Sequence, residues 1–283
     1  MAAVSALGLF VELLLIRWLD AQVRPLAYVK NLALVASFLG LGIGFALARA
    51  RALSVAGVGL LALTLSVGTW FAFPVTPVSG PAGPEANLGV ATSDGGLGLA
   101  VFSALIAAVF VLVTATMVPF GRIAGSAMEG LPALPAYTAN VAGALAGILA
   151  FISMAALSLP PWVAATSAFA AALGCVRPTR GARLAAALIA GAAIAGMFLA
   201  DHRSGGEVLW SPYNKIEVVR KIAHPSAAGR TDPPAWEIRV QNLYYQHVFD
   251  LRPETLGIVQ KLYPASRLAA LAYDYPYTWK QPR

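Results

Sequence analysis

The longest charge-free stretch of the chain runs from Gly130 to Val176, 47 residues without Asp, Glu, Lys or Arg. An α-helix rises about 1.5 Å per residue, so a bilayer core about 30 Å thick takes roughly 20 apolar residues. The stretch is therefore long enough to cross a membrane twice. Leu159-Pro160-Pro161 supplies the break, because proline lacks an amide proton and disfavours helix at the residue before it.

The first of these two crossings, Ala133 to Leu157, carries small residues at helical spacing. Gly143 and Gly147 are four apart and Ala139 precedes them by one turn, a pattern that lets a second helix approach closely. The amide of Asn140 sits beside this small-residue face. The pattern predicts a packed helix of a membrane bundle rather than a helix pair in a soluble core.

The composition separates the chain into two parts. Of 283 residues, 58% are hydrophobic and 12% are charged, whereas a soluble domain has about a quarter charged residues. Of the 33 charged residues, 19 lie from Asp201 onward. We expect a multi-spanning membrane domain at 1–200 and an extramembrane segment at 201–283. The net charge of +7 does not indicate nucleic acid, because basic residues at helix ends are typical of membrane topology.

The apolar runs predict a mainly α-helical integral membrane protein with about seven transmembrane helices. A proline- and glycine-rich loop from Pro74 to Gly96 separates the third helix from the fourth. The predicted helices are Ala3–Leu19, Asn31–Ala48, Leu53–Phe73, Leu97–Phe120, Ala133–Leu157, a segment from Pro161 to about 176, and Leu184–Ala200.

Two charged residues fall within the first helix. Glu12 lies in its middle, where an ionisable group is expensive and usually faces the bundle interior. Arg17 lies nearer the end and is expected to reach the interface as an anchor. Five residues correspond to about 140° around a helix, so the two are poor partners for each other. For Glu12, structural pairing and a functional polar site both remain open.

The extramembrane segment has strand-like patterning. The stretches 207–222 and 236–251 are rich in β-branched and aromatic residues and are joined by a Pro/Gly-containing loop, which predicts a β-hairpin. Residues 253–272 are expected to be helical. No metal site is predicted, because the single cysteine, Cys175, and the three scattered histidines, His202, His224 and His247, show no ligand spacing.

The order of several short motifs resembles the spermidine synthases, the polyamine aminopropyltransferases. Tyr213-Asn214-Lys215-Ile216 is similar to the family's first strand, Asn242-Leu243-Tyr244-Tyr245-Gln246 to its "DGxxQ" turn, and Tyr273-Asp274-Tyr275-Pro276 to a motif near a helix end. The pieces GLFVELLLIRW, FLGLGIG, TMVPF and AYTANVAGALAG resemble the multi-spanning region fused in front of such domains in many bacterial proteins. The family has Gln, Asp and Gly where this chain has Asn214, Asn242 and Leu243.

The resemblance implies which residues face a substrate. In the family a doubly wound domain with a glycine-rich turn follows this segment and binds decarboxylated S-adenosylmethionine as co-substrate. This sequence contains no such turn in the required strand-and-helix context. We therefore assign no catalytic residue and expect no cofactor in this chain. Gln246, Asp274, Asn214 and Tyr213 are the positions carried over as substrate-binding.

Three functions are compatible with these features. The first is the membrane anchor and lid of a spermidine synthase-like protein, which needs a Rossmann-like catalytic domain in cis or trans for aminopropyl transfer. The second is a polyamine or cation transporter-like or sensor module that uses Glu12 and Asn140. The third is a structural subunit of a larger membrane complex. The hairpin is also a possible surface for a homo-oligomer, and the lipid bilayer is an expected partner in all three.

Two features of the sequence disagree about the side of the membrane on which residues 201–283 lie. The resemblance implies a bacterial inner membrane. Alternating crossings put six arginines on the side opposite the tail, and the positive-inside rule assigns that basic side to the cytoplasm. A lid over a cytosolic co-substrate requires residues 201–283 to be cytoplasmic. We therefore expect a cytoplasmic tail. The arginines are Arg49, Arg51, Arg122, Arg177, Arg180 and Arg183.

Overall fold

The computed structural model describes residues 1–23, 26, 29, 31–48, 52–72, 95–176, 179–202, 206–221, 235–241 and 243–249. Residues 74–94 of the predicted proline-rich loop and the helix predicted at 253–272 lie outside them. The described residues form seven helices and four strands. The helices are α1 (Ala2–Gln22), α2 (Leu32–Ala46), α3 (Val55–Ala72), α4 (Gly95–Met128), α5 (Ala133–Ala156), α6 (Pro161–Cys175) and α7 (Arg180–His202). The strands are β1 (Glu207–Trp210), β2 (Lys215–Lys221), β3 (Ala235–Val240) and β4 (Leu243–Phe249).

The mainly helical architecture is confirmed. Four helices of the described chain are long and apolar enough to cross a membrane: Ala2–Gln22, Ser103–Met128, Ala133–Ala156 and Arg180–His202. Three others, α2, α3 and α6, are apolar but shorter. The finding is compatible with a membrane protein.

The fourth helix is longer than its sequence predicted. The predicted end at Phe120 is wrong, because α4 continues through Pro119 to Met128. Packing supports the continuation: a methyl group added at Gly125 would come within 2.7 Å of Ala48 Cβ, so the two backbones are in close contact. Proline inside a helix is tolerated where a neighbouring helix packs against it, and Pro119 lies against Gly57 of α3.

Helix α1 is the centre of the bundle. It contacts α2, α3, α4, α5 and α6, and Val11, Leu14 and Trp18 on it are completely buried. Its direction is parallel to that of α5. Ala2 lies against Gly143, Ala6 lies against Gly147, and the Phe10 and Phe151 rings meet edge to face with centroids 5.5 Å apart.

A second close pair is formed by α2 and α4, which also run parallel. Gly40 lies against the Thr114 carbonyl and Gly44 against the Val118 carbonyl, so no side chain separates the backbones. The Thr114 hydroxyl donates to the Ala36 carbonyl across the same interface at 3.2 Å. Glycine is needed at these positions because the approach leaves no space for a Cβ.

Large apolar side chains cover much of the outer surface of the helices, whereas hydroxyl groups pair inside. The Thr64 and Thr116 hydroxyls are 2.7 Å apart and buried between α3 and α4. Exposed apolar patches of this extent are unusual for a soluble monomer. The exposed side chains include Val111, Leu134, Leu149, Leu184 and Leu188.

The segment expected outside the membrane forms four strands in one sheet, in the order β1-β2-β3-β4, rather than the predicted two-stranded hairpin. Each predicted strand is divided by a turn. The first is divided after Trp210, where the Ser211 hydroxyl accepts from the Asn214 amide at 2.9 Å. The second is divided at Gln241, whose φ of 53° takes it out of strand conformation. Patterning of apolar residues alone does not reveal either turn.

The chain divides into two compact units. The first comprises Met1–Glu217 with Val240–Leu243, and the second begins at Val218. The helical unit therefore includes β1, the turn at 211–214 and the start of β2. The boundary expected from the sequence, at residue 200, lies before these elements. It marks the change from apolar to polar composition, whereas the residues packed with the helices continue to Glu217.

Candidate functional site

The end of α1 and the turn between β1 and β2 meet in a polar site, which we call the junction cluster: Arg17, Asp20, Gln22, Asp201 and residues 210–215. Arg17 Nη2 donates to the Ser211 carbonyl at 2.9 Å. Its guanidinium carbon lies 5.5 Å from the centre of the Trp210 ring, within the range of a cation–π contact. Arg17 thus holds the turn against α1.

Trp210 is the anchor of this turn. Its ring stacks on that of Trp18, with centroids 6.1 Å apart, and its Nε1 donates to Asp201 Oδ2 at 3.0 Å. Trp18 Nε1 in turn donates to the Leu65 carbonyl at 2.9 Å. Both indole N–H groups are satisfied, as buried tryptophans require. Helices α1, α3 and α7 are thereby connected to the first strand.

Lys215 is 2% exposed, which is rare for a lysine and requires compensating partners. Its Nζ lies 3.4 Å from Gln22 Oε1, and its charge interacts with that of Asp201. Its carbonyl accepts from the Gln241 amide at 3.0 Å. The carboxyl groups of Asp20 and Glu217 are also buried. The junction cluster and the adjacent Glu217 therefore bring basic and acidic side chains together in a buried region.

A cavity of about 210 Å³ opens within the junction cluster. Arg17, Asp20, Trp210 and Lys215 contribute to its wall, and Tyr213 lies at its rim with 86% of its surface exposed. The arrangement can hold a small polar molecule between an aromatic wall and charged groups.

The predicted substrate-binding residues fall in different parts of the chain. Tyr213 and Asn214 lie in the turn of the junction cluster, and Asn214 Oδ1 accepts from Gln241 Nε2 at 3.0 Å. Gln246 lies in β4, and Asp274 lies outside the described residues. The turn positions are thus held by defined contacts, and substrate binding by all four residues stays a prediction.

A second polar site lies inside the helical bundle. Glu12 is 1% exposed, and its Oε2 has no hydrogen-bond partner in the described part of the chain. Asn140 Oδ1 accepts from the Ser5 hydroxyl at 2.8 Å. Arg17 is directed to Ser211, so the expectation that Glu12 and Arg17 are poor partners agrees with the geometry.

The small-residue face of α5 lies against α1. A methyl group at Gly143 would overlap the Ala2 carbonyl oxygen, and one at Gly147 would overlap that of Ala6. Ala139 is half-buried, while Gly143 and Gly147 are buried. The contact is therefore made chiefly by the two glycines.

Sequence reasoning missed several residues of the junction cluster. Gln22, Asp201 and Trp210 carry no motif, and the contacts of Gln22 with Lys215 and of Trp210 with Trp18 join positions far apart in the chain. One available signal was Asp201, an acidic residue directly after the last apolar run, with Trp210 nine residues further on. Within the described residues no group of three His, Cys, Asp or Glu side chains is arranged to hold a metal ion. No protein-family model, curated protein or solved structure matches the chain.

Proposed function

We propose that the chain is the membrane anchor and lid portion of a spermidine synthase-like protein, with all seven helices crossing a bacterial inner membrane. Aminopropyl transfer from decarboxylated S-adenosylmethionine to a polyamine then requires a doubly wound catalytic domain in cis or trans. The observation that carries the proposal is the junction cluster. It fixes the motif that resembles the first strand of the synthases, Tyr213 to Ile216, to the end of α1.

Helix directions support the seven crossings. Strict alternation requires helices of the same parity to run parallel and neighbours to run antiparallel. The pairs α1–α5 and α2–α4 are parallel, while α3 and α4 pass in opposite directions, with Gly57 against Pro119 and Thr64 against Thr116. The Leu53–Val176 bridge joins the start of α3 to the end of α6, which alternation puts on one side.

A lid needs a fixed base, and the geometry offers one. Helices α1 and α7 hold Trp210, and the Ser211 turn is held by Arg17, so the first strand leaves the bundle at a defined position. An active site requires its reactants to be aligned within about 3–3.5 Å. A strand anchored in this way is suited to align a catalytic domain with the membrane surface.

The experiment is a fusion. The doubly wound domain of a soluble spermidine synthase, without its own amino-terminal sheet, is joined after Arg283 and assayed in membrane vesicles for methylthioadenosine formed from decarboxylated S-adenosylmethionine and putrescine. We expect turnover from the fusion and none from the 283-residue chain alone.

Two variants sharpen the test. Arg17→Gln and Trp210→Ala should lower turnover of the fusion, whereas Leu188→Ala on the outer face of α7 should leave it unchanged. A fused domain that binds decarboxylated S-adenosylmethionine yet gives no turnover would reject the lid role. Turnover by the chain alone would show that it contains a complete active site.

A further inference from the structure

A cavity of about 310 Å³ lies among α1, α2, α4 and α5, away from the junction cluster. This volume is at the lower end of the range typical of small-molecule sites, about 300–1,000 Å³. Its polar lining is the Ser5–Asn140 pair, and the Phe38, Phe45 and Phe120 side chains form aromatic walls. Gly42 contributes open space, because a methyl group added there would meet no atom within 4 Å.

Glu12 lies one turn beyond this cavity on the same face of α1. Ser5, Gly8 and Glu12 share that face at helical spacing, and both Ser5 and Gly8 line the cavity. The Cα–Cβ bond of a helical residue tilts toward the helix N-terminus, so the Glu12 side chain extends toward the level of Gly8. Its Oε2 has no hydrogen-bond partner among the described residues.

A second buried oxygen without a partner in the described structure belongs to α2. Ser37 is completely buried and its hydroxyl makes no hydrogen bond there. A methyl group at Gly8 would lie 3.9 Å from Leu41 Cδ2, so α1 and α2 are in contact at these two residues. Ser37 precedes Leu41 by one turn, and α2 runs opposite to α1, so Ser37 and Glu12 lie at similar depth.

We propose that this cavity and Glu12 form a binding site for an organic primary ammonium with a short apolar chain. An ammonium has three donors and no acceptor, and it is attracted to a carboxylate and to aromatic faces. Glu12 and Ser37 supply the oxygens, and the three phenylalanines surround the apolar chain. No basic side chain lines the cavity among the described residues, so nothing there competes for the carboxylate.

The site is independent of the lid function, because none of its residues belongs to the junction cluster. An unpaired buried carboxyl is costly and is retained where it binds something or carries a proton. The position of Glu12 inside the bundle fits a binding role, because a bound ammonium supplies the missing positive charge.

The test measures thermal unfolding of the purified full chain in detergent with hexylammonium chloride. Hexanol is the matched neutral probe and sodium chloride is the ionic control. We expect hexylammonium to raise the unfolding midpoint in a saturable way, with neither control doing so. Glu12→Gln should weaken the apparent affinity about 100-fold, because the buried charge pair is lost.

Two further variants keep the result decisive if Glu12→Gln fails to fold. Gly42→Leu fills the cavity without touching Glu12 and should abolish the hexylammonium effect, whereas Gly191→Leu on the exposed face of α7 should not. Labelling with dicyclohexylcarbodiimide should modify Glu12, and hexylammonium should protect it. An equal response to hexanol, a response to sodium alone, or an unchanged hexylammonium response in Gly42→Leu would overturn the proposal.

Discussion

Trp210 stacks on Trp18 with ring centroids 6.1 Å apart and an interplanar angle of 27°, and this contact joins the first strand to the central helix. The two residues are separated by most of the chain. Around the pair, Arg17 and Asp201 contact Trp210 from α1 and α7 respectively. The start of the strand-forming segment, β1, is therefore part of the bundle's packing rather than an attached tail.

Trp210→Ala should destabilise the chain by about 3–5 kcal/mol, because it removes a large buried ring and deprives Asp201 of a donor. Trp210→Phe retains a ring and loses the hydrogen bond, so its cost should be smaller, about 1–3 kcal/mol. Chemical unfolding in detergent measures both. Tyr213→Ala is the matched control, because this neighbouring aromatic is 86% exposed. Equal losses for Trp210→Ala and Tyr213→Ala would contradict the anchor role.

The three glycines of FLGLGIG should respond differently to alanine. Gly40→Ala and Gly44→Ala each place a methyl group against a carbonyl of α4, at Thr114 and Val118, and should lower the yield of folded protein. Overpacking of this kind costs about 1–3 kcal/mol. Gly42→Ala, between them, meets no atom within 4 Å and should be tolerated. Size-exclusion profiles in mild detergent compare the three, and an equally damaged Gly42→Ala would reject the α2–α4 contact.

The α1–α5 contact makes a graded prediction. Gly147→Ala should damage folding more than Gly143→Ala, because Ala6 lies within α1 whereas Ala2 is at its first turn and can move. Gly191→Ala, on an exposed face of α7, is the control, since a methyl group there meets nothing within 4 Å. Thermal unfolding midpoints rank the three variants. A larger loss from Gly143→Ala would show that the N-terminus of α1 is held more firmly than the packing indicates.

The sequence predicted the helices well because each is a long apolar run bounded by charges, proline or glycine. It failed at the end of α4, where the helix continues through Pro119 and the packing of Gly125 against Ala48 decides. It also failed in the sheet, because the turns at Ser211 and Gln241 depend on a side-chain hydrogen bond and a positive φ.

For the sites, a buried acid such as Glu12 stands out in an apolar run, so composition finds it. Trp210 does not stand out in this way. Its importance arises from Trp18, Arg17 and Asp201, which are brought to it by the fold and have no fixed spacing from it. Contacts between distant positions are not visible in one sequence.

The last prediction concerns the number and direction of the crossings. Cys175 is the single cysteine, so Cys175→Ala gives a background in which introduced cysteines report alone. Seven alternating crossings place Ser79 of the proline-rich loop and Tyr213 on one side, and Gly130 between α4 and α5 on the other. With a cytoplasmic tail, a membrane-impermeant maleimide applied to intact spheroplasts should label Gly130→Cys and leave Ser79→Cys and Tyr213→Cys unmodified until the cells are lysed. The reverse pattern would keep seven crossings and place the tail outside, as the arginine distribution favours. Labelling of Gly130→Cys and Tyr213→Cys from the same side would remove the seven-crossing topology.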